Sequence, residues 1–248
     1  GPMTWTGGTM SGTGTTVIGP TASLTLSGVV GKSLLRTLEN HSPSANWTGG
    51  SIFFANGTLR NESDGTFTAA LATDLSLINN GGANAVQNAG TFHHTGAGTT
   101  TANIPFHNSG EVNIQAGTLA LNGGGAGSGL FEVDPGATLR FTGTHTHTAG
   151  TSLTGSGVVT FTGGTHTFSA GTFNPTGTVN FTGGTVTVNN TFTPTALGTI
   201  SGTLTNNAAQ TFSSVTLTGT LGGGGVVTVT GPMTWTGGTM SGTGTTVI

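Results

Sequence analysis

Between Leu119 and Val188 apolar residues come in pairs split by one other residue, and the pairs return every 20 positions as Leu119/Leu121, Leu139/Phe141, Val159/Phe161 and Val179/Phe181. Alternation of this kind puts both apolar side chains on one face of a strand. The residue between them, Ala120, Arg140, Thr160 or Asn180, falls on the other face. A second column reads Ile114, Val133, Leu153, Phe173 and Phe192, at steps of 19 or 20, and a third reads Thr148, Phe168 and Val188. Each circuit of about 20 residues therefore predicts three short strands. Turn-forming residues separate them, as at Gly163-Gly164, Asn174-Pro175 and Asn189-Asn190.

A single circuit of three strands cannot bury its own apolar face, whereas stacked circuits can. The expected fold is all-β: a right-handed parallel β-helix of triangular cross-section, with three strands per circuit and circuits about 4.8 Å apart. The apolar columns become stripes inside a three-sided prism.

Before residue 115 the period is looser. An apolar-x-Asn element recurs as Leu38-Glu39-Asn40, Leu59-Arg60-Asn61, Val86-Gln87-Asn88 and Phe106-His107-Asn108. The last three lead into Gly65-Thr66-Phe67, Gly90-Thr91-Phe92 and Gly110-Glu111-Val112. Asparagine tolerates left-handed backbone and suits corners, and stacked asparagines can bond one another from circuit to circuit. Residues 32–46 break the pattern and read as an irregular loop or short helix set on the prism.

A longer period overlies the short one. Residues 1–18, GPMTWTGGTMSGTGTTVI, return unchanged as residues 231–248. The expected organisation is one solenoid unit over 1–230, of roughly eleven or twelve circuits and about 55 Å, followed at 231–248 by the start of an identical unit.

Composition narrows the class. Glycine supplies 47 of 248 residues, without the strict triplet spacing of collagen, and charged residues only 4%. Disordered chains are charged and poor in β-branched residues, unlike this one. Net charge is −3, and Lys32, Arg36, Arg60 and Arg140 are the only fixed cations. No basic stripe suggests nucleic acid, and no apolar run suggests membrane insertion. Cysteine is absent, which removes disulfides and thiolate metal sites.

Several segments resemble a recurrent repeat of giant bacterial surface proteins: Trp5-Thr6-Gly7-Gly8-Thr9-Met10-Ser11-Gly12, Asn88-Ala89-Gly90-Thr91-Phe92, residues 107–119 and Phe161-Thr162-Gly163-Gly164-Thr165. The broader group includes filamentous-haemagglutinin-like adhesins and autotransporter passenger domains. The resemblance implies an exported, very long fibre outside the cell, and it brings no catalytic residues.

The candidate chemistry is sparse. His145-x-His147 puts two imidazoles on one strand face, and 20-residue steps align them with Thr165/Thr167, so they are expected to face outward. Such a pair could hold Zn²⁺ or Cu²⁺ weakly, but the register supplies no third ligand, and they read as surface histidines. His93 and His94 point to opposite faces and form no chelate, while His166 falls on an inward alternate as a hydrogen-bonded interior or corner residue. Glu132 and Asp134 share a strand face, with Glu111 one circuit earlier and Arg140 on the next strand. Catalysis or a Ca²⁺ contact would need more than this, and they read as solvated charge. Thr165/Thr167, Thr185/Thr187, Thr203/Thr205 and Thr228/Thr230 suggest an ice-binding ladder, but their spacing slips to 18 and then 25. Asn46, Asn56, Asn61, Asn180 and Asn189 head glycosylation sequons. Trp5 and Trp235 occupy one repeat position, and with Trp47 they are expected to pack in the prism rather than form a sugar platform.

No catalytic residue, cofactor or metal ligand is assigned. The expected function is a structural filament at the cell surface, built of tandem units, self-associating end to end and laterally, and serving adhesion or matrix formation. An adhesin specific for a glycan or another surface, with its patch most plausibly at residues 32–61, is the alternative, and ice binding a lesser one.

Overall fold

The computed structural model describes residues 1–191 and 196–248, with side chains omitted for Ala196 and Leu197. It is an all-β solenoid of about 12 circuits, about 20 residues each, with three strands per circuit. Every strand pairing is parallel, and each joins one circuit to the next. The described strands form three ladders, one per face. The first begins Pro2–Trp5, Ser23–Leu26, Ala45–Trp47; the second Gly8–Met10, Lys32–Leu34, Ile52–Phe54; the third Thr15–Ile18, Thr37–Asn40, Thr58–Asn61.

The 20-residue columns become vertical stacks. On the second face Leu119 pairs with Leu139, Val159 and Val179 in succession, and Leu121 with Phe141, Phe161 and Phe181. All eight side chains are buried. The rings of Phe141, Phe161 and Phe181 lie nearly parallel at 5.2 and 5.5 Å, a spacing set by the distance between circuits.

Other expectations shift. Residues 32–46 are not an irregular insertion but one regular circuit, with strands Lys32–Leu34, Thr37–Asn40 and Ala45–Trp47 and with Leu34 and Leu38 in the core. Lys32 conceals the pattern, because it occupies an inward position and is fully buried. Its ammonium donates to the carbonyls of Gly49 (2.8 Å) and Val30 (3.3 Å), and burial lowers its pKa.

The second column is displaced at one step. Val133 pairs with Gly155, and Leu153 with Phe131, because the intervening circuit is two residues longer than its neighbours. A slip of two preserves the facing but changes the partner. Phe173 continues this corrected stack, and Phe192 lies outside the described residues. In the third column His147, not Thr148, stacks on Phe168 and Val188.

The asparagine column is a bonded ladder. Asn40 Nδ2 donates to Asn61 Oδ1, Asn61 Nδ2 to Asn88 Oδ1, and Asn88 Nδ2 to Asn108 Oδ1, each at 2.8 Å. All four are buried on the third face, and none takes a left-handed backbone. Below Asn108 the same column continues through Gly127, His147, Phe168 and Val188 to Asn206. One shaft thus changes from amide-lined to aromatic to aliphatic along its length.

The 18 repeated residues form a coil at both ends of the stack, displaced by one face. Pro2–Trp5 opens the first ladder, whereas Met233–Trp235 is the twelfth strand of the second, above Val215–Leu217. Likewise Thr9-Met10 lies on the second ladder, and Thr239–Met240 on the third. The 230-residue offset therefore spans eleven circuits and one further face.

Candidate functional site: a charged corner and its groove

Side chains that face outward on a solenoid meet their vertical neighbours, so chemistry gathers where several circuits place polar residues in one register. This happens at the third face and the corner after it. The outward column there reads Glu39, Arg60, Gln87, His107. Just beyond the corner lie His41, Glu62 and Asp64.

These residues form one ion network. Arg60 Nη1 donates to Glu39 Oε2 (3.2 Å) and Nη2 to Glu62 Oε1 (3.0 Å). His41 contacts Glu39 Oε1 through Nε2 (3.0 Å) and Asp64 Oδ1 through Nδ1 (2.8 Å). Carboxylate oxygens only accept, so both ring nitrogens donate and the imidazolium is the favoured form. Its pKa is raised, first by the hydrogen bond from Glu39, then by that from Asp64. The network is partly exposed, and its worth lies in fixing side-chain directions more than in stability.

Beside it runs a polar groove of about 410 Å³, lined among others by Arg60, Glu62, Gln87, His107, Ser109 and Ala126. Its floor is the Asn61–Asn88–Asn108 ladder, and its lower wall falls away where Gly125-Ala126-Gly127 replace larger side chains. Glycine is required there: a Cβ at Gly127 would lie 1.7 Å from Asn108 O. The groove offers guanidinium, amide, imidazole and hydroxyl groups at fixed spacing, and no aromatic platform.

Sequence reasoning missed this site because it treated residues 32–46 as irregular, which removed Glu39 and His41 from the ladder. The signal was present: Glu39 and Arg60 are 21 positions apart, one circuit.

The histidines are reassigned. His145 and His147 face inward, not outward, and are 3% and 5% exposed. His145 pairs with His166, a step of 21, although Phe141 pairs with Phe161 at a step of 20. One extra residue in the bend at Gly163-Gly164 flips the expected facing of the whole segment. With His166 they stack at 5.8 to 6.2 Å among Phe141, Phe161 and Phe168. His145 Nδ1 donates to Gly143 O (3.1 Å) and His166 Nε2 to Gly163 O (3.0 Å). Buried His145 Nε2, His147 Nε2 and His166 Nδ1 have no partner. Burial lowers all three, His145 and His166 to about 4. Among the described residues no group of three or more is placed to hold a metal ion. His94 is buried too, donating from Nδ1 to Ala116 O and accepting at Nε2 from Thr100, while His93 faces the other way.

The other candidates stay apart. Glu132 pairs with Asn113 and Thr154, and Asn113 Nδ2 donates to Glu111 Oε1, so no two carboxylates face each other. Thr165/Thr167, Thr185/Thr187 and Thr203/Thr205 do align despite the 18-residue step, but Thr228 and its neighbours lie on another face beside Thr211. Asn61 is buried in the ladder and cannot carry a glycan, unlike exposed Asn56 and Asn189. Trp5 and Trp47 pack inside, with Trp47 Nε1 donating to Gly50 O, whereas Trp235 is exposed.

No protein-family model, curated protein or solved structure matches the chain.

Proposed function

We propose that this chain is a length of structural filament, built of tandem solenoid units, exported to the cell surface and used for adhesion or matrix formation, without enzymatic activity. One observation carries the reading: the same 18 residues fold as a coil at both ends of one uninterrupted stack, so the register that ends one 230-residue span is the register that begins it. Such a stack gains length without any change of local chemistry. Rigidity comes from parallel backbone ladders and a packed interior, and only four residues offer sites to trypsin-like proteases. Low charge leaves little repulsion between rods lying side by side. The repeat motifs, which resemble those of giant bacterial surface proteins, agree with this use.

Electron microscopy of native material is expected to show long unbranched rods advancing about 54 Å per 230 residues, from eleven and a third circuits of about 4.8 Å. Compact particles at every concentration would overturn the proposal.

The charged corner favours a second reading, in which the filament carries one glycan-binding groove per unit. Its polar lining and its lack of an apolar floor suit hydroxyl-rich ligands. Binding of neutral oligosaccharides, measured calorimetrically, is then expected to fall at least tenfold in Arg60→Ala and in Gln87→Ala. Unchanged affinity, or no binding to the parent chain, removes this reading and leaves the filament intact.

A further inference from the structure

The coil formed by 231–248 presents an edge whose natural occupant is visible elsewhere in the same molecule. In the identical coil 1–18 that edge is covered. Met3 and Trp5 pair with Leu24 and Leu26, Met10 with Leu34, and Ile18 with Asn40. Arg36 reaches across the seam, donating to the carbonyls of Gly14 (2.9 Å) and Ser11 (3.4 Å). Covered in this way, Trp5 is 6% exposed and Ile18 4%; their counterparts Trp235 and Ile248 are 55% and 74% exposed. Met233, Trp235, Met240, Thr246 and Ile248 line an apolar hollow of about 380 Å³. The coil carries no charged residue to oppose an incoming neighbour.

We propose that coil 231–248 is a docking edge for a second copy of this chain, which seats its circuit 23–40 there in the register displayed by coil 1–18. Met233 then pairs with Leu24, Thr234 with Thr25, Trp235 with Leu26 and Met240 with Leu34 of the second copy. Its Arg36 reaches Gly244 O and Ser241 O. Within the second copy this seat is filled by its own residues 1–18, which have the same sequence, so the exchange sacrifices no specific contact. The incoming coil has an advantage: it is already ordered by pairing with 215–229 on its other side, whereas coil 1–18 is paired on one side only.

A geometric consequence follows from the offset of one face. Because Met233–Trp235 stands on the second ladder and Pro2–Trp5 on the first, each docked copy is turned by one face relative to the last. The assembly is a threefold screw. Its charged corners follow one another around the three faces, and the full pattern returns after about 160 Å, three advances of about 54 Å.

The inference rests on the filament reading and is tested separately from it. The chain has no cysteine, so an introduced pair is unambiguous. Parallel neighbours lie about 4.8 Å apart, within disulfide reach. Copies bearing Thr234→Cys are mixed with copies bearing Thr25→Cys under mild oxidation. Both positions face outward, and an unchanged circular dichroism spectrum establishes that each variant folds. A disulfide joining residues 234 and 25 of different copies is expected, its yield rising with concentration. Copies carrying both substitutions are expected to give covalent ladders. A second pair, Trp235→Cys with Leu26→Cys, should behave alike. Crosslinks between two copies of Thr234→Cys, or between Thr234→Cys and Thr4→Cys, would mean tail-to-tail or blunt stacking and overturn the proposal. So would the absence of any inter-copy disulfide. If native rods are seen but no 234–25 crosslink forms, the docking register fails and the filament reading survives; compact particles alone remove both.

Discussion

Asn88→Asp is expected to destabilise the solenoid by about 3–5 kcal/mol at neutral pH, the usual cost of a buried charge without compensation. The substitution changes one atom, yet the ladder makes that atom decisive. Asn88 accepts at Oδ1 from Asn61 Nδ2, and its Nδ2 donates to Asn108 Oδ1 (2.8 Å), Glu111 O (2.9 Å) and Gly90 O (3.2 Å). A carboxylate has no donor, so three acceptors would face a fourth. Two of these are backbone carbonyls that cannot turn away, because they belong to the strand and corner of the circuits themselves.

The sign with pH is distinctive. Repulsion by those acceptors raises the new carboxyl's pKa above its unfolded value, and protonation restores one donor. The defect should therefore shrink as pH falls through the acid range. Gln87→Glu supplies the contrast. It adds the same charge one residue away, on the outer face, where Gln87 stands between Arg60 and His107, and is expected to change stability by no more than about 0.5 kcal/mol. Urea unfolding of both variants at pH 7 and pH 4 checks this. Equal midpoints for Asn88→Asp and Gln87→Glu would show that the amides do not carry the corner.

Much of the fold was legible because a solenoid converts sequence spacing directly into vertical adjacency. Leu119, Leu139, Val159 and Val179 could be stacked from their numbers alone, and the apolar-x-Asn element announced its ladder. The rest was hidden where circuits change length. From Ile52 to Leu77 the step is 25 residues, from Thr100 to Leu119 it is 19, and from Leu204 to Leu221 it is 17. An even change moves a residue to a new partner on the same face, which is how Leu153 came to stand on Phe131. An odd change reverses inside and outside, which is how His145 and His147 entered the core. Lys32 misled for another reason: a buried ammonium held by two carbonyls has no hydropathy signature, and it disguised a regular circuit as a loop.

Those buried histidines give the solenoid a predicted weak point in acid. His145 and His166 are held at about 4, and His147 is also lowered, because no water reaches the rings and each leaves a nitrogen unpartnered among phenylalanines. Mutual repulsion and His107 add to the effect on His145. Above pH 6.5 these rings are neutral in folded and unfolded chains alike, and they impose no pH dependence. Between about 6.5 and 4 the unfolded chain takes up protons that the folded chain refuses, so stability falls, by about 3 kcal/mol for each of His145 and His166 at completion. His94 is lowered too and acts in the same direction, whereas exposed His41, held protonated by Glu39 and Asp64, acts in the opposite one. Because each circuit touches only its neighbours, the loss should be local. Hydrogen exchange at pH 4.5 is expected to reach residues 141–168 well before residues 24–54. The register names the repair: Val186 and Phe168 occupy the positions next to His166 and His147 in their columns. The double variant His147→Phe/His166→Val should therefore leave stability at pH 7.5 unchanged or higher, since two orphaned nitrogens are removed, while abolishing most of the acid dependence. Early exchange at 141–168 that persists in the double variant would place the weakness in the bend at Gly163-Gly164 instead of in the imidazoles.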